Sequence, residues 1–283
     1  MCGIVGYVSK ETFNKEIKDA LLQVVHRGPD GNQIFSASLG GFNISMGHSR
    51  LAVRDLSESA SQPMISRDGN LILAYNGEIY NTEYLQRFSK VEVSRDVSDT
   101  STLLSFLSAG GMNSLESVDG MFAFVLIDLS NGSISLVRDP FGIKPLYYCY
   151  NEIGLFFASE IKALLCFKSV PSEIDRSIIP EFLKFGYLHE PATGLKGVQK
   201  VFPGQKITLD LYNDKIHSSL FCDLLTLKNE NKKISNKVFE RSIQANLISD
   251  VPLGTLYSAG IDSLLISTVA DTKNFLINLK LNP

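Results

Sequence analysis

Apolar and polar residues alternate in short runs over most of the first 210 residues, and this pattern predicts β-strands. Phe13, Ile17, Leu21, Val24 and Val25 instead recur at helical spacing, and so do the apolar residues of 100–111 and 160–165. The predicted strands are CGIVGYVS (2–9), FNISMGH (42–48), LILAY (71–75), MFAFVLIDL (121–129), SISLV (133–137), PLYYCY (145–150) and GLFFAS (154–159). Many hairpin-linked strands with few helices are typical of an α+β fold.

Two short polar stretches break this pattern and predict turns. SNG at 130–132 separates two apolar strands, which is a hairpin signal. Asn76-Gly77 follows LILAY and, by local sequence, predicts that the strand stops there.

The pattern changes after a polar stretch, KNENKKISN (228–236), which predicts a linker. A predicted helix at 238–248 and a strand at 251–257 follow, and the turn SAGIDS (258–263) leads into a further helix. Strand, glycine-containing turn and helix are typical of the start of a parallel α/β domain. We therefore expect a first domain at 2–212, a linker at 213–236 and a second, incomplete domain at 237–283.

Composition excludes several classes of protein. The chain has 27 Lys+Arg against 30 Asp+Glu and lacks a basic stripe, so we expect no nucleic-acid partner. Its longest apolar run, at 121–127, is far shorter than the roughly 20 residues that span a bilayer. The N-terminus lacks a secretory signal, which favours a cytoplasmic protein. The four cysteines and four histidines show no zinc-like spacing, and we expect no metal site and no disulfide.

Cys2 stands directly behind the initiator methionine. If Met1 is removed, Cys2 carries a free α-amine next to its own thiol, and such an amine can activate a nucleophile because its pKa lies near 7.7–8.0. The alternative is a chance Met-Cys start with Met1 retained, and the cysteine alone does not decide between the two.

Six further segments occur in a fixed order behind Cys2. They are HRGPDG (26–31), GHSRLAVRDL (47–56), YNGEIYN (75–81), DGMFAF (119–124), RDPFGIKPLYY (138–148) and SEIKALL (159–165). With these segments, residues 2–210 resemble the class II glutamine amidotransferase domain of glutamine-hydrolysing asparagine synthetases. The resemblance implies an N-terminal-nucleophile fold, a four-layer αββα sandwich.

The resemblance also implies roles for individual residues. Cys2 would attack the carboxamide of glutamine, and Asn76 with the Gly77 N–H would hold the oxyanion. Matching positions of the family that bind glutamine fall on Arg50, Val53, Asn76, Gly77, Glu78 and Asp99.

The residues themselves leave other interpretations open. Arg50 could form a surface salt bridge, Asn76-Gly77 could be a plain turn, and Asp99 could cap the helix that follows it. A Cys–His dyad with His26 or His48 is a competing mechanism, although it gives no reason for a terminal cysteine.

The turn SAGIDS resembles the pyrophosphate (PP) loop of the synthetase domain, usually S-G-G-x-D-S. Ser258, Gly260, Asp262 and Ser263 match it, whereas Ala259 stands in place of a glycine and crowds a close phosphate oxygen. The resemblance implies ATP and Mg²⁺ as cofactors of the synthetase reaction and none for glutamine hydrolysis. The α/β segment is too short for a whole synthetase domain.

The function expected from the resemblance is hydrolysis of glutamine to glutamate and ammonia, for the ATP-dependent amidation of aspartate. The expected partners are glutamine, a second copy of the chain in a homodimer and, in an intact relative, aspartate and ATP. The alternatives are a glutaminase for another acceptor, such as a sugar carboxylate, and a non-catalytic glutamine-binding remnant.

Overall fold

The computed structural model describes residues 1–91, 97–226, 235–258 and 260–276. The chain divides into two compact units. The first consists of Met1–Ala52 and Ser57–Thr226, and the second groups Val53–Leu56 with the described residues after 234.

The first unit alternates strands and helices. Its strands are β1 (Gly3–Ser9), β2 (Gly31–Leu39), β3 (Phe42–Arg50), β4 (Met64–Ile65), β5 (Leu71–Ile79), β6 (Gly120–Asp128), β7 (Ser133–Arg138), β8 (Tyr147–Asn151), β9 (Gly154–Ala158), β10 (Val198–Lys200), β11 (Gln205–Asp210) and β12 (Lys215–Leu220). Its helices are α1 (Glu16–Leu22), α2 (Thr82–Phe88), α3 (Asp99–Ser108), α4 (Ile161–Leu164) and α5 (Ile179–Phe185).

Two six-stranded antiparallel sheets form the centre of this unit. The first sheet has the order β10-β8-β9-β1-β3-β2, and the second has the order β12-β11-β7-β6-β5-β4. A core cluster with residues from both sheets fills the space between them. A second cluster packs α1 and α4 on the outer face of the first sheet, and a third packs α2 and α3 on the outer face of the second. The layers are therefore helix, sheet, sheet and helix, which confirms the predicted αββα sandwich.

Strict alternation along the strands explains why both faces of each sheet are covered. On β6, Ala123 and Val125 belong to the interior cluster, whereas Phe122 and Phe124 belong to the cluster around α3. Successive side chains of a strand point to opposite faces, so an unbroken apolar run supplies both layers. Each fully buried large side chain contributes roughly 1.5–3 kcal/mol to folding.

The second unit contains a parallel strand pair. Its elements are α6 (Asn236–Ala245), β13 (Gly254–Tyr257), α7 (Ile261–Ala270) and β14 (Lys273–Leu276), and β13 pairs with β14 in parallel. The expected strand, turn and helix are present, while the assignment of this unit to a pyrophosphatase domain stays a prediction.

Two sequence expectations differ from the structure. Strand β5 does not stop at Tyr75 but runs through Asn76-Gly77 to Ile79, because β6 pairs with it along its whole length. Strand β12 lies within the segment 213–236 expected to be linker, so the second sheet extends past residue 212. Residues 227–234 of that segment lie outside the described residues. In the part of the chain that the structure describes, no helix is long and apolar enough to cross a membrane.

Candidate active site

Three strands that meet across the interior change from apolar to polar side chains at the same end. On β3, the side chains that face the interior are Phe42, Ile44 and Met46, and the next two positions on the same face are His48 and Arg50. On β5, the interior side chains are Ile72 and Ala74, and the next two positions on that face are Asn76 and Glu78. Cys2 precedes the interior residue Ile4 by two positions, and Ile4 pairs with His48. Because side chains alternate along a strand, these polar groups share the edge of the interior layer.

Cys2 is anchored at this edge through its own backbone and thiol. Its Sγ accepts a hydrogen bond from the Leu51 N–H at 3.4 Å. Its carbonyl accepts one from the Arg27 Nε at 2.9 Å. Burial raises the pKa of the Cys2 thiol, the Leu51 hydrogen bond opposes that rise, and the charges of Asp99 and Glu78 add to it. The thiol therefore needs a base to react at neutral pH.

A network of charges holds Arg27 against Cys2. The Arg27 Nη1 lies 3.0 Å from Glu160 Oε1, and the His26 Nε2 lies 2.9 Å from the same oxygen. Lys162 Nζ is 3.3 Å from the other carboxylate oxygen of Glu160. Because Glu160 fixes the guanidinium, Arg27 is orientated toward the Cys2 carbonyl rather than toward solvent.

Asn76 and Gly77 lie inside β5 instead of in a turn. Asn76 is 1% exposed, and its Nδ2 has no hydrogen-bond partner among the described residues. A Cβ on Gly77 would lie 2.4 Å from the Met121 carbonyl oxygen on β6, so only glycine permits this pairing. An unpartnered buried amide is exceptional and points to a ligand that completes it.

The backbone amide of Gly77 faces away from β6. Its neighbours at two residues on either side, Tyr75 and Ile79, donate their N–H groups to the side chains of Gln62 and Asp99 rather than to β6. Amides two residues apart in a strand point to the same edge. The Gly77 N–H therefore faces the edge of β5 that a ligand can reach, next to the Asn76 amide.

Asp99 is the first residue of α3 but does not cap it. The Ser98 side chain accepts the capping hydrogen bond from the Ser101 N–H. Asp99 is buried, and its Oδ2 accepts from the Tyr75 hydroxyl at 2.9 Å. Ser98 rather than Asp99 is therefore the N-cap residue. The Asp99 Oδ1 accepts from the Thr100 N–H in the first turn at 2.9 Å, and its Oδ2 faces β5.

Arg50 and Glu78 lie at the polar edge, whereas Val53 groups with the second unit. The Arg50 Nη1 donates to the Ser57 carbonyl at 2.7 Å. Val53 belongs to the segment that clusters with the second unit, where its carbonyl accepts from the Asp250 N–H. Burial raises the pKa of a nearby tyrosine, Tyr80, to about 12, and the negative charge of Glu78 adds to this shift.

Neither candidate histidine contacts the Cys2 thiol. The His26 ring bonds to Glu160, and the His48 Nε2 lies 3.0 Å from the Tyr75 carbonyl oxygen. Among the described residues, the His48 Nδ1 has no partner. The Cys–His dyad thus lacks the thiol–imidazole hydrogen bond that it requires.

In the second unit, the predicted PP-loop residues lie between the end of β13 and the first turn of α7. Gly260 is the N-cap of α7, and the hydroxyls of Ser258 and Ser263 are 3.2 Å apart. Asp262 lies in the first turn of the helix. Ala259 lies outside the described residues. Within the described residues, no group of three His, Cys, Asp or Glu side chains is placed to hold a metal ion.

Comparison with known proteins decides the family. The family model described as a glutamine amidotransferase domain matches residues 1–221. The chain belongs to this family. The match includes β12, in agreement with the extended second sheet of this glutamine amidotransferase domain.

Curated relatives extend well beyond the amidotransferase domain. The chain is 32% identical over 287 residues to putative asparagine synthetase [glutamine-hydrolyzing] 2 of Methanocaldococcus jannaschii, covering 93% of this chain and 55% of that protein. It is 33% identical over 294 residues to asparagine synthetase [glutamine-hydrolyzing] 1 of Bacillus subtilis, covering 99% and 45%. The chain thus spans about half the length of the curated relatives it matches.

A solved structure shares the fold of the amidotransferase. Glutamine phosphoribosylpyrophosphate amidotransferase of B. subtilis, complexed with ADP and GMP, superimposes with a TM-score of 0.56 at 17% identity. The match covers 99% of this chain and 67% of that one.

Three residues at this polar edge had no role assigned from the sequence, and a fourth, His48, was considered there as a dyad partner of Cys2. Arg27 and Glu160 lie within the segments HRGPDG and SEIKALL, but only the fold brings them together at Cys2. His48 could have been placed by counting every second residue along β3. Lys144 is buried, and burial lowers its pKa while the charges of Glu78 and Cys2 oppose that shift. No local pattern distinguishes Lys144.

Proposed function

We propose that this chain hydrolyses glutamine to glutamate and ammonia, with Cys2 as the nucleophile once Met1 is removed. The observation that supports this most directly is the unpartnered Asn76 amide beside the outward-facing Gly77 N–H, at the edge where Cys2 lies. A buried amide without an acceptor among the described residues, next to an outward-facing backbone N–H, suits an oxyanion.

The α-amine of mature Cys2 takes the thiol proton as the sulfur attacks the carboxamide carbon of glutamine. The S–C bond forms, and the carbonyl oxygen becomes an oxyanion held by Asn76 and Gly77. The amine then returns the proton to nitrogen, the C–N bond breaks and ammonia leaves. Water attacks the resulting thioester and releases glutamate, which regenerates the thiol.

The ends of glutamine are held by charge. The planar guanidinium of Arg50 suits the α-carboxylate. Glu78 and Asp99 are proposed to attract the α-ammonium, although the Asp99 carboxylate already accepts from Tyr75. Val53 is proposed to contact the substrate, as the family resemblance implies.

The ammonia acceptor is proposed to be aspartate, because curated relatives are named asparagine synthetases. Backbone N–H groups at the start of α7 and the hydroxyls of Ser258 and Ser263 suit the phosphates of ATP, with Asp262 nearby. ATP with Mg²⁺ would supply an activated carboxylate in a chain with the whole synthetase domain. We also propose a homodimer and a cytoplasmic location, where thiols stay reduced.

Release of glutamate from glutamine tests this proposal. We expect the Cys2→Ala variant to lose the activity of the wild-type chain, and intact mass to show loss of one methionine from the active protein. Equal turnover by wild type and Cys2→Ala would contradict it. Binding of glutamine without turnover, together with retained Met1, would support a non-catalytic binder instead.

A further inference from the structure

One hydrogen bond joins the two sheets directly beside the proposed oxyanion site. His48 on β3 belongs to the first sheet, and its Nε2 lies 3.0 Å from the carbonyl oxygen of Tyr75 on β5 in the second sheet. This carbonyl and the Asn76 N–H belong to one planar peptide group. A side chain that holds the Tyr75 carbonyl in place therefore also fixes the orientation of the peptide plane that leads into Asn76.

Among the described residues, the edge of β5 at this point has no neighbouring strand. Strand β4 pairs only with Leu73 and Ile72, so the groups on that edge further along β5 need other partners. Gln62 accepts from the Tyr75 N–H at 2.7 Å, and His48 lies at the Tyr75 carbonyl. Two buried side chains thus replace the missing strand immediately before Asn76 and Gly77.

His48 makes this contact at a cost to stability. It is fully buried, and its Nδ1 has no partner among the described residues. Burial, with a smaller effect of Arg50, lowers the pKa of His48 to about 4, so the ring is neutral at pH 7. A neutral ring that donates from Nε2 leaves Nδ1 as an unpaired acceptor, and a buried unpaired polar group destabilises a protein.

We propose that His48 is a positioning residue that holds the Tyr75–Asn76 peptide in the orientation needed for oxyanion binding. This inference rests on the proposed glutamine hydrolysis. His48 acts through the backbone of β5, it touches neither substrate nor thiol, and it exchanges no proton during the reaction. Its loss therefore weakens binding of the transition state more than binding of glutamine itself.

Two substitutions distinguish the effect of losing the hydrogen bond from the effect of losing the imidazole ring. In His48→Gln, the amide nitrogen is as many bonds from Cβ as the His48 Nε2 and can still donate to Tyr75. In His48→Asn, the amide nitrogen stops at the position of Nδ1 and cannot reach. Both variants remove the ring and keep a neutral amide, so they are matched controls for each other.

Glutamate release by wild type, Cys2→Ala, His48→Gln and His48→Asn is then compared. We expect kcat of His48→Asn to fall by ~10- to 100-fold with KM changed by less than about threefold, and His48→Gln to stay within about threefold of wild type. Equal kcat values in the two variants, or a rise in KM with kcat retained, would overturn the proposal. Wild-type turnover that survives Cys2→Ala would instead refute the proposed function.

Hydrogen exchange gives a readout that does not depend on turnover. We expect the Asn76 amide, which faces β6, to exchange faster in His48→Asn than in wild type, and His48→Gln to match wild type. Unchanged exchange in both variants, or a general increase throughout the second sheet, would show that His48 does not position this peptide.

Discussion

Asn76 combines a strand position with a side-chain amide that the described part of the protein leaves without an acceptor. Local sequence favoured a turn at Asn76-Gly77, because this pair is a strong hairpin signal. Pairing with β6 overrides that preference, and the close approach to Met121 explains why glycine follows. The family resemblance, rather than the residue pattern, identified the pair as a candidate oxyanion site.

Replacing Asn76 by alanine removes one oxyanion donor. We expect kcat for glutamine hydrolysis to fall by ~100- to 1000-fold with little change in KM, because the donor acts on charge that develops in the transition state. Steady-state kinetics of glutamate release measures this. Asn70→Ala is the control, since the hydrogen bonds of Asn70 among the described residues go to Asp68 and Leu129, outside the site, and this variant should retain kcat. A larger effect on KM than on kcat would contradict the assignment.

At the scale of elements, long alternating or apolar segments were predictable and irregular ones were not. Strands β1, β3 and β6 coincide with predicted runs, because burial of a whole face fixes both type and register. Strand β2 was missed because its residues are half-buried or exposed, so polar residues interrupt the apolar pattern along the strand. Helix α5 was missed although Ile179, Phe182 and Leu183 recur at helical spacing, because the helix is only seven residues long and its pattern is too short to stand out.

Helix α3 offers a direct test at this scale, because Ser98 caps it. We expect Ser98→Ala to lower the free energy of unfolding by ~1 kcal/mol, since an unsatisfied N–H is left at the helix start. Thermal unfolding should shift by about 2–4 °C. Ser101→Ala is the control, because Ser101 contributes its backbone N–H to the cap rather than its hydroxyl. Equal shifts for both variants would contradict the capping role.

At the scale of the whole first unit, the two sheets are held by an apolar interior that ends in a polar edge. The sandwich could be predicted from the order of elements and from the resemblance. The partners of His48, Arg27 and Glu160 could not, because each contact joins segments far apart in the chain. Such contacts follow from the packing of layers and have no signature in a local window.

The buried His48 makes the stability of the first unit depend on pH. Its pKa is about 4 in the folded protein against 6.5 in the unfolded chain, so the unfolded state binds more protons between these values. The contribution is fully present above pH 6.5 and is lost as pH falls toward 4, by about 3 kcal/mol in total. Urea titrations from pH 7 to 4 measure it. His48→Gln lacks the titrating group, so its stability should fall less over this range, and equal slopes would contradict the assignment.

The brevity of β4 has an evolutionary consequence. A β4 that began four residues earlier, at Ala60, would place Ala60 opposite Gly77 and capture the Gly77 amide as an ordinary ladder partner. The enzyme would then lose catalytic activity although every reactive side chain is unchanged. Insertions or deletions between Ala60 and Leu71 are therefore a way in which members of this fold could lose or regain catalytic activity while their reactive residues stay unchanged.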